Sequence, residues 1–396
     1  MISNKKFSII VVFIFVIIFI FISIPSFLIY KTLLNTKEDL DVKKAVKVQL
    51  DNDAIYNSLD MDKLLYKLEL VKINKPKIIA LGSSRVMQFR EESFNKSFIN
   101  AGGAMDNMNM GYQFLNEVIK FYKPEFIILG LDFWWFNKKH YQPELSNNSI
   151  SFENQKIDLK NKIKITLSKL LKKEIDFDMF KYKSEKQNKL TNYLNIGISS
   201  IKYSNGFRKD GSYHYPSFIL GDAKNSDIKF SNTFNRIENG LEKFEYGDSI
   251  SKETVDILNN LVRFTEENNI KLIILIPPLA NEVVEKMKIF GDKYNYISQL
   301  RRIIKNSNIE NYDFHDMRNY YKNSCEFIDG FHGGDVVYQR ILKNMYDKNS
   351  SISKYLNIKL IRKIINEGQG KTLTIFDKNK YKKYKENDFL ELGCIK

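Results

Sequence analysis

The sequence predicts an α/β fold, a parallel sheet covered by helices on both faces, preceded by one N-terminal transmembrane helix. Three observations carry the prediction. Short apolar runs recur between stretches of helical spacing, and they are continuous rather than alternating, as strands buried on both faces require. The runs end in Gly, Asn or Pro turns, the places where open parallel sheets gather functional groups. Residues 7–30 contain no charged side chain.

The run over 7–30 is almost wholly Ile, Val and Phe and reaches the ~20 residues that a bilayer-spanning helix needs. It is too long for the apolar region of a cleaved signal, and no small-x-small site follows it, so an uncleaved anchor is expected. Residues 1–6 then form a cytoplasmic stub. Lys31, Lys37, Lys43, Lys44 and Lys47 beyond the run outnumber Lys5 and Lys6 before it. That count argues against a cytoplasmic N-terminus, but long domains translocate largely regardless of charge. The expected topology is single-pass, with the N-terminus cytoplasmic and the main domain extracytoplasmic. Residues 31–75 are polar with scattered apolar positions and read as a helical stalk.

Residues 77–81 are a short apolar run entering Gly82-Ser83-Ser84-Arg85, a strand followed by a tight turn. Residues 97–100 form a second strand, ended by Ala101-Gly102-Gly103. Met108, Tyr112, Leu115, Ile119 and Tyr122 then fall at helical spacing until Pro124. Residues 126–131 are a third buried strand. Residues 137–250 lack long apolar runs and read as an insertion or lid with short helices. The alternation resumes with a helix over 251–268, a strand over 271–276 closed by Pro277-Pro278, a helix over 281–305 and a short strand over 312–314. A last helix follows His332, with Val337, Ile341 and Met345 on one face. The main domain is therefore 76–136 plus 251–349, and 350–396 is a basic C-terminal tail.

Three polar motifs fall at strand ends: Gly82-Ser83-Ser84-Arg85, Asn100-Ala101-Gly102-Gly103 and Gly130-Leu131-Asp132. A serine on a strand-to-helix turn has its hydroxyl lifted from the sheet, but it needs a base within hydrogen-bond reach. Histidine is the usual base, because its pKa lies near neutrality. Of the four histidines, His332 alone sits three residues after an aspartate in a glycine-rich loop, Asp329-Gly330-Phe331-His332-Gly333-Gly334. One loop can thus present base and orienting carboxylate together. His315 is the rival base. Taken singly, each motif is an ordinary turn; their order and their place at the strand ends point to catalysis.

In that order the motifs resemble the SGNH/GDSL hydrolase superfamily and its flavodoxin-like sheet, closest to the membrane-anchored branch of envelope-polysaccharide O-acetylation and teichoic-acid D-alanyl transfer proteins. The resemblance covers about residues 77–132 and 270–346. It implies Ser84 as nucleophile, Asp329 and His332 as the rest of the triad, and an oxyanion hole from the N–H groups of Ser84 and Gly103 or Gly102. It also implies a serine acyltransferase or esterase, with a multi-spanning membrane-bound O-acyltransferase as an acyl-donating partner. Two positions depart from the family pattern. Ser83 stands where the family has Asp, and Asp132 stands where it has an Asn that donates to the oxyanion. An ionised Asp132 would repel an oxyanion, which keeps open a non-catalytic polysaccharide-binding or scaffold role.

Other features are weighed against plainer readings. Arg85 could hold an anionic substrate group, although a surface ion pair is the simpler role; Asn100 is a further substrate-binding candidate. Trp134 and Trp135, within Phe133-Trp134-Trp135-Phe136, could form a stacking wall, a core cluster or a membrane-interface contact. Residues 208–215 read as a turn in the insertion and a candidate lid. Gly368-Gln369-Gly370-Lys371-Thr372 is not a phosphate loop, since Ile365 stands where glycine is needed. No zinc-type spacing and no cofactor motif occurs. Cys325 and Cys394 show no CxxC spacing; the default is two free or buried thiols, and an extracytoplasmic domain would allow one disulfide instead. The formal charge of +15 over 396 residues favours membrane lipid head groups and anionic envelope glycans or polymers as partners. The basic residues are dispersed and no nucleic-acid motif is present, so nucleic acid is not an expected partner.

Overall fold

The computed structural model describes residues 4–140, 158–185, 190–221, 224–320 and 323–394. Residues 1–3 of the predicted stub, 141–157, 186–189 and 222–223 of the predicted insertion, and the pairs 321–322 and 395–396 lie outside the described residues. The main body is an α/β domain. Its sheet has five parallel strands, β1 (Ile78–Gly82), β2 (Phe98–Gly102), β3 (Phe126–Gly130), β4 (Lys271–Ile276) and β5 (Glu310–Asp313), in the order β2-β1-β3-β4-β5. Every residue of β1, β2 and β3 is buried, so both faces of the sheet are covered, which explains the unbroken apolar character of β1 and β3. Ala80 pairs with Asn100 on one side and Ile128 on the other. The strand order reverses around β1, and such a reversal leaves a crevice at the carboxyl ends of the strands.

The helix α1 (Asn4–Thr36) includes the charge-free run and is long and apolar enough to cross a membrane. No stalk follows it. Asn35 and Thr36 accept hydrogen bonds through their carbonyls from Ser184 and Gly197 N–H, each at 2.9 Å. The buried Glu38 carboxylate then accepts from Leu59 N–H at 3.0 Å and Ile198 N–H at 2.7 Å. The helices α2 (Val42–Asn52) and α3 (Lys63–Asn74) are likewise part of the body. Asp62 caps α3 through Leu65 N–H at 3.0 Å, and Tyr66, Leu68, Leu70 and Val71 are fully buried. The predicted stalk is therefore corrected. Charged positions along α3 hid a helix buried almost all round, because Lys67 itself is buried on the carbonyls of Asn100 and Gly211.

The helices α4 (Met108–Ile119) and α7 (Lys252–Glu267) continue the layer begun by α3. Between them lie α5 (Leu159–Leu171), packed on α1, and α6 (Ser231–Asn239). The predicted insertion does contain short helices, yet it also pairs with the supposed stalk. Ile55–Tyr56 forms a small sheet with Asn195–Ile196, Gly206–Phe207 and Tyr213–His214. The single helix predicted over 281–305 is two, α8 (Asn281–Ile289) and α9 (Asn295–Lys305), broken at Gly291. Glycine lowers helix propensity there, and the 3-10 turn lets Tyr294 and Tyr296 enter the core. The last predicted helix is α10 (Asp335–Asp347), with Val337, Ile341 and Met345 fully buried.

The predicted basic tail is not a tail. The helix α11 (Ile358–Glu367) packs on α10 through buried Ile361 and Ile364. Further on, buried Asp377 pairs with Arg90 at 3.0 Å and Arg208 at 2.8 Å. Those two guanidinium groups hold its carboxyl well below the usual carboxylate range, against the upward push of burial. Cys325 and Cys394 form a disulfide with Cα atoms 5.6 Å apart, so the pairing holds rather than the two free thiols. Alternating charges masked these segments, because their burial depends on partners some 170 and 290 residues away.

Candidate active site

Ser84 opens a short 3-10 turn directly after β1. Its Oγ lies 2.9 Å from His332 Nε2, and His332 Nδ1 lies 2.7 Å from Asp329 Oδ2. These distances fit a chain of hydrogen bonds from serine through imidazole to carboxylate. The other Asp329 oxygen accepts from Phe331 N–H at 2.9 Å and His332 N–H at 2.8 Å. Burial pushes the Asp329 carboxyl up, but His332 and those two amides outweigh it and hold it below 3.8. All three side chains stay partly exposed, so an outside molecule can reach them. The rival His315 is set aside. It is buried against the edge of Phe133, and desolvation pushes it down to about 3, while Ser84 already bonds His332.

The loop carrying Asp329 and His332 is held from several directions. Ile328 N–H donates to His332 O at 2.8 Å, closing a tight hairpin. Gly330 N–H donates to Asp227 Oδ2 at 2.8 Å, and its carbonyl accepts from Ala280 N–H at 3.0 Å. Asp227 is fixed in turn by Thr233 N–H at 2.9 Å and the Thr233 hydroxyl at 2.7 Å. Any Cβ at Gly330 would meet that Thr233 side chain at 2.6–2.8 Å, so glycine is required for close approach. Asn225 Nδ2 donates to Ile328 O at 2.9 Å. Asn225, Asp227 and Thr233 thus support the site from the predicted insertion. Nothing in the local spacing of Asn225 and Asp227 marks them, because the loop residues they bond lie about 100 residues ahead.

Arg85 is the main correction among the predicted site residues. It is 1 % exposed and faces neither solvent nor a substrate space. Its Nε donates to Phe331 O at 3.0 Å, its Nη2 to Pro277 O at 2.8 Å and Pro278 O at 2.7 Å, and its Nη1 to Asp132 Oδ1 at 3.3 Å. The Tyr338 hydroxyl donates to the Arg85 carbonyl. One guanidinium therefore ties the Ser84 turn to the histidine loop and to the end of β4. Asn100 is also corrected from substrate contact to scaffold. Its Nδ2 donates to Val86 O and Phe89 O at 2.8 and 2.9 Å, and its Oδ1 accepts from Gly102 N–H at 2.7 Å. Trp135 is fully buried and Trp134 is 3 % exposed, with Phe133 and Phe136 fully buried beside them. The four aromatics are core, not a stacking wall. Trp134 does border the site, edge-on to Phe331, whose ring touches that of His332.

The predicted oxyanion donors divide. Gly102 N–H is committed to Asn100 Oδ1, and Gly103 N–H donates to Gly82 O at 2.9 Å, so neither is free in the resting protein. Ser84 N–H has no acceptor among the described residues. Asp132 is 1 % exposed, and its Oδ2 meets the geometric criteria of a hydrogen bond with no partner among the described residues. Burial raises its carboxyl pKa despite the nearby Arg85 charge. The segment 208–215 is no lid: Asp210 O accepts from Asn100 N–H at 2.7 Å, and Tyr213 N–H donates to Met87 O at 3.0 Å. A cavity of about 480 Å³ lies elsewhere, lined by residues including Arg318, Asn323, Arg340 and Gly370, and it holds none of the triad. Among the described residues no group of three or more His, Cys, Asp and Glu is arranged for a metal ion. Compared with known proteins, the chain matches no protein-family model and no curated protein.

Proposed function

We propose that the protein is a membrane-anchored serine acyltransferase or esterase of the SGNH type, acting on a cell-envelope glycan or polymer. One observation carries the reading: Ser84, His332 and Asp329 meet in a bonded chain although Ser84 and His332 are 248 residues apart in sequence. Ser84 Oγ attacks the acyl carbonyl while its proton passes to His332 Nε2. Asp329 holds the imidazole tautomer and stabilises the imidazolium. The tetrahedral intermediate collapses, and His332 returns the proton to the leaving alkoxide. An acceptor hydroxyl, or water, then gives its proton to His332 and attacks the acyl-serine, and as the second tetrahedral intermediate collapses His332 returns that proton to the departing Ser84 Oγ. The strand order β2-β1-β3-β4-β5 is the flavodoxin-like one, which supports the SGNH assignment. The disulfide supports an oxidising, extracytoplasmic setting for the domain. A multi-spanning membrane acyltransferase is the proposed acyl donor, and anionic polymer or lipid suits the basic chain.

The test is labelling of the detergent-solubilised full chain with a fluorophosphonate. The wild type is expected to label, and Ser84→Ala is expected not to. Absence of wild-type labelling, or equal labelling of both, overturns the assignment. A second reading has its own observation: Gly102 and Gly103 amides are spent and a carboxylate stands at Asp132. It makes the protein a non-catalytic SGNH-fold scaffold or polysaccharide binder beside a membrane acyltransferase. Glycan binding unchanged in Ser84→Ala and His332→Ala, without labelling, would favour it.

A further inference from the structure

The helix α5 and the turn after it carry large apolar side chains that nothing among the described residues covers. Leu171 is 77 % exposed and Phe177 76 %. Their neighbours point inward: Leu170, Ile175 and Met179 are buried in one cluster with Ile29 and Leu33 of α1. Lys160, Lys164, Leu167 and Leu171 are all exposed and fall on one stripe of α5 by helical spacing. Lysines lead toward the start of that stripe, and leucines occupy its end.

The height of this end can be worked out. Lys162 near the start of α5 donates to the carbonyl of Glu38, just past the end of α1. Leu171 lies nine residues further, about 13 Å along the helix at 1.5 Å per residue. The same distance back along α1 from Glu38 reaches Ile29, and the shared cluster with Ile29 agrees with that antiparallel course. Residues 29 and 30 are where the charge-free run ends and Lys31 begins. Leu171 and Phe177 therefore stand level with the edge of the hydrocarbon that α1 would cross. Lys172 and Lys173 are exposed there and have no carboxylate partner among the described residues. Across 159–185 the chain has eight lysines against four carboxylates. Buried apolar side chains beside unpaired lysines are how an interfacial segment holds an anionic bilayer.

We propose that the turn from Leu171 to Phe177 dips into the head-group boundary of the bilayer that α1 crosses, with Lys172 and Lys173 on anionic lipid head groups. The domain is then held to the membrane at two points, α1 and this turn, and cannot tilt freely about α1. The inference rests on α1 being membrane-spanning; it does not depend on the chemistry of Ser84. Both native cysteines are in the disulfide, so single cysteines can be introduced and spin-labelled at Leu171, Phe177, Val12 and Ile289. Ile289, at the end of α8, is 74 % exposed and serves as the aqueous reference. In bilayers containing phosphatidylglycerol, collision with oxygen relative to a water-soluble nickel chelate reports depth. Labels at 171 and 177 are expected to show a severalfold higher ratio than at 289, and Lys172→Glu/Lys173→Glu is expected to lower it. A high ratio at Val12 with aqueous ratios at 171 and 177 overturns the dipping turn alone. Aqueous ratios at all four positions overturn the membrane span as well.

Discussion

Removing Arg85 isolates the contribution of a single buried cation to both the fold and the site. In Arg85→Met the Asp132 carboxylate loses its ion pair inside a site where it is 1 % exposed. The carbonyls of Phe331, Pro277 and Pro278 lose their donor. Breaking a buried pair from one side costs about 3–5 kcal/mol. At about 2 °C per kcal/mol for a large domain, thermal unfolding should fall by roughly 6–10 °C. Adding Asp132→Leu removes the stranded charge and should recover about 1–3 kcal/mol of that loss, a coupling that a double-mutant cycle reads directly. The bond to Phe331 O also sets where His332 sits against Ser84. A misplacement of about 1 Å costs about a hundredfold in rate, so fluorophosphonate labelling of Arg85→Met should slow by about that factor at temperatures where it is still folded. The assay is paired: unfolding by circular dichroism on the solubilised full chain, and labelling rate on the same samples. The reasoning is refuted if Arg85→Met unfolds within about 2 °C of the wild type, or if the double variant is no more stable than the single one.

Four further outcomes are expected from three positions. Asp329→Asn should drop the labelling rate by about 10⁴-fold, since the imidazole loses the partner that fixes its tautomer. Asp329 has a folded pKa below its usual 3.8, so its stabilisation is complete above that value and is lost as pH falls through the folded value. The stability gap between wild type and Asp329→Asn should therefore shrink as a urea titration is repeated from about pH 5 down to about pH 2, and a constant gap counts against it. Asp227→Ala should slow labelling, with Asp227→Asn recovering part of the rate through its remaining oxygen, because Gly330 N–H needs an acceptor; equal rates for both would make Asp227 irrelevant to positioning. Cys394→Ser opens a 69-residue link and should cost about 4 kcal/mol on chain entropy, seen as a lowered unfolding midpoint that reducing agent reproduces in the wild type but not in the variant.

The sheet was legible because its strands are apolar on both faces: Ile78, Ile79, Ile127, Ile128, Ile273 and Ile274 are fully buried, and short continuous apolar runs between turn residues suit buried strands best. The triad pair was legible because Asp329 and His332 share one loop and Ser84 follows a strand. What escaped was held by long-range pairing. Arg85 looked like a surface charge because no nearby residue in sequence announces the three carbonyls and the carboxylate that receive it. Asn225 and Asp227 support a loop a hundred residues away. The segments 31–75 and 350–394 carry enough charge to read as solvated, yet Lys67, Arg90, Arg208 and Asp377 meet partners inside the body. Of the predicted oxyanion amides, Gly102 N–H is taken for a local reason: the Asn100 side chain folds back onto it, a choice among rotamers that no sequence pattern displays.

With α1 in a bilayer as proposed, its unbroken passage into the bonded cradle of Ser184, Gly197, Leu59 and Ile198 would fix the altitude of Ser84. A leash would let the domain search a hemisphere of space. A stiff post would let it drift and spin in the plane while its hydroxyl kept to one level above the lipid. On the proposed reading, the acyl donor and the acceptor would both have to come to that level.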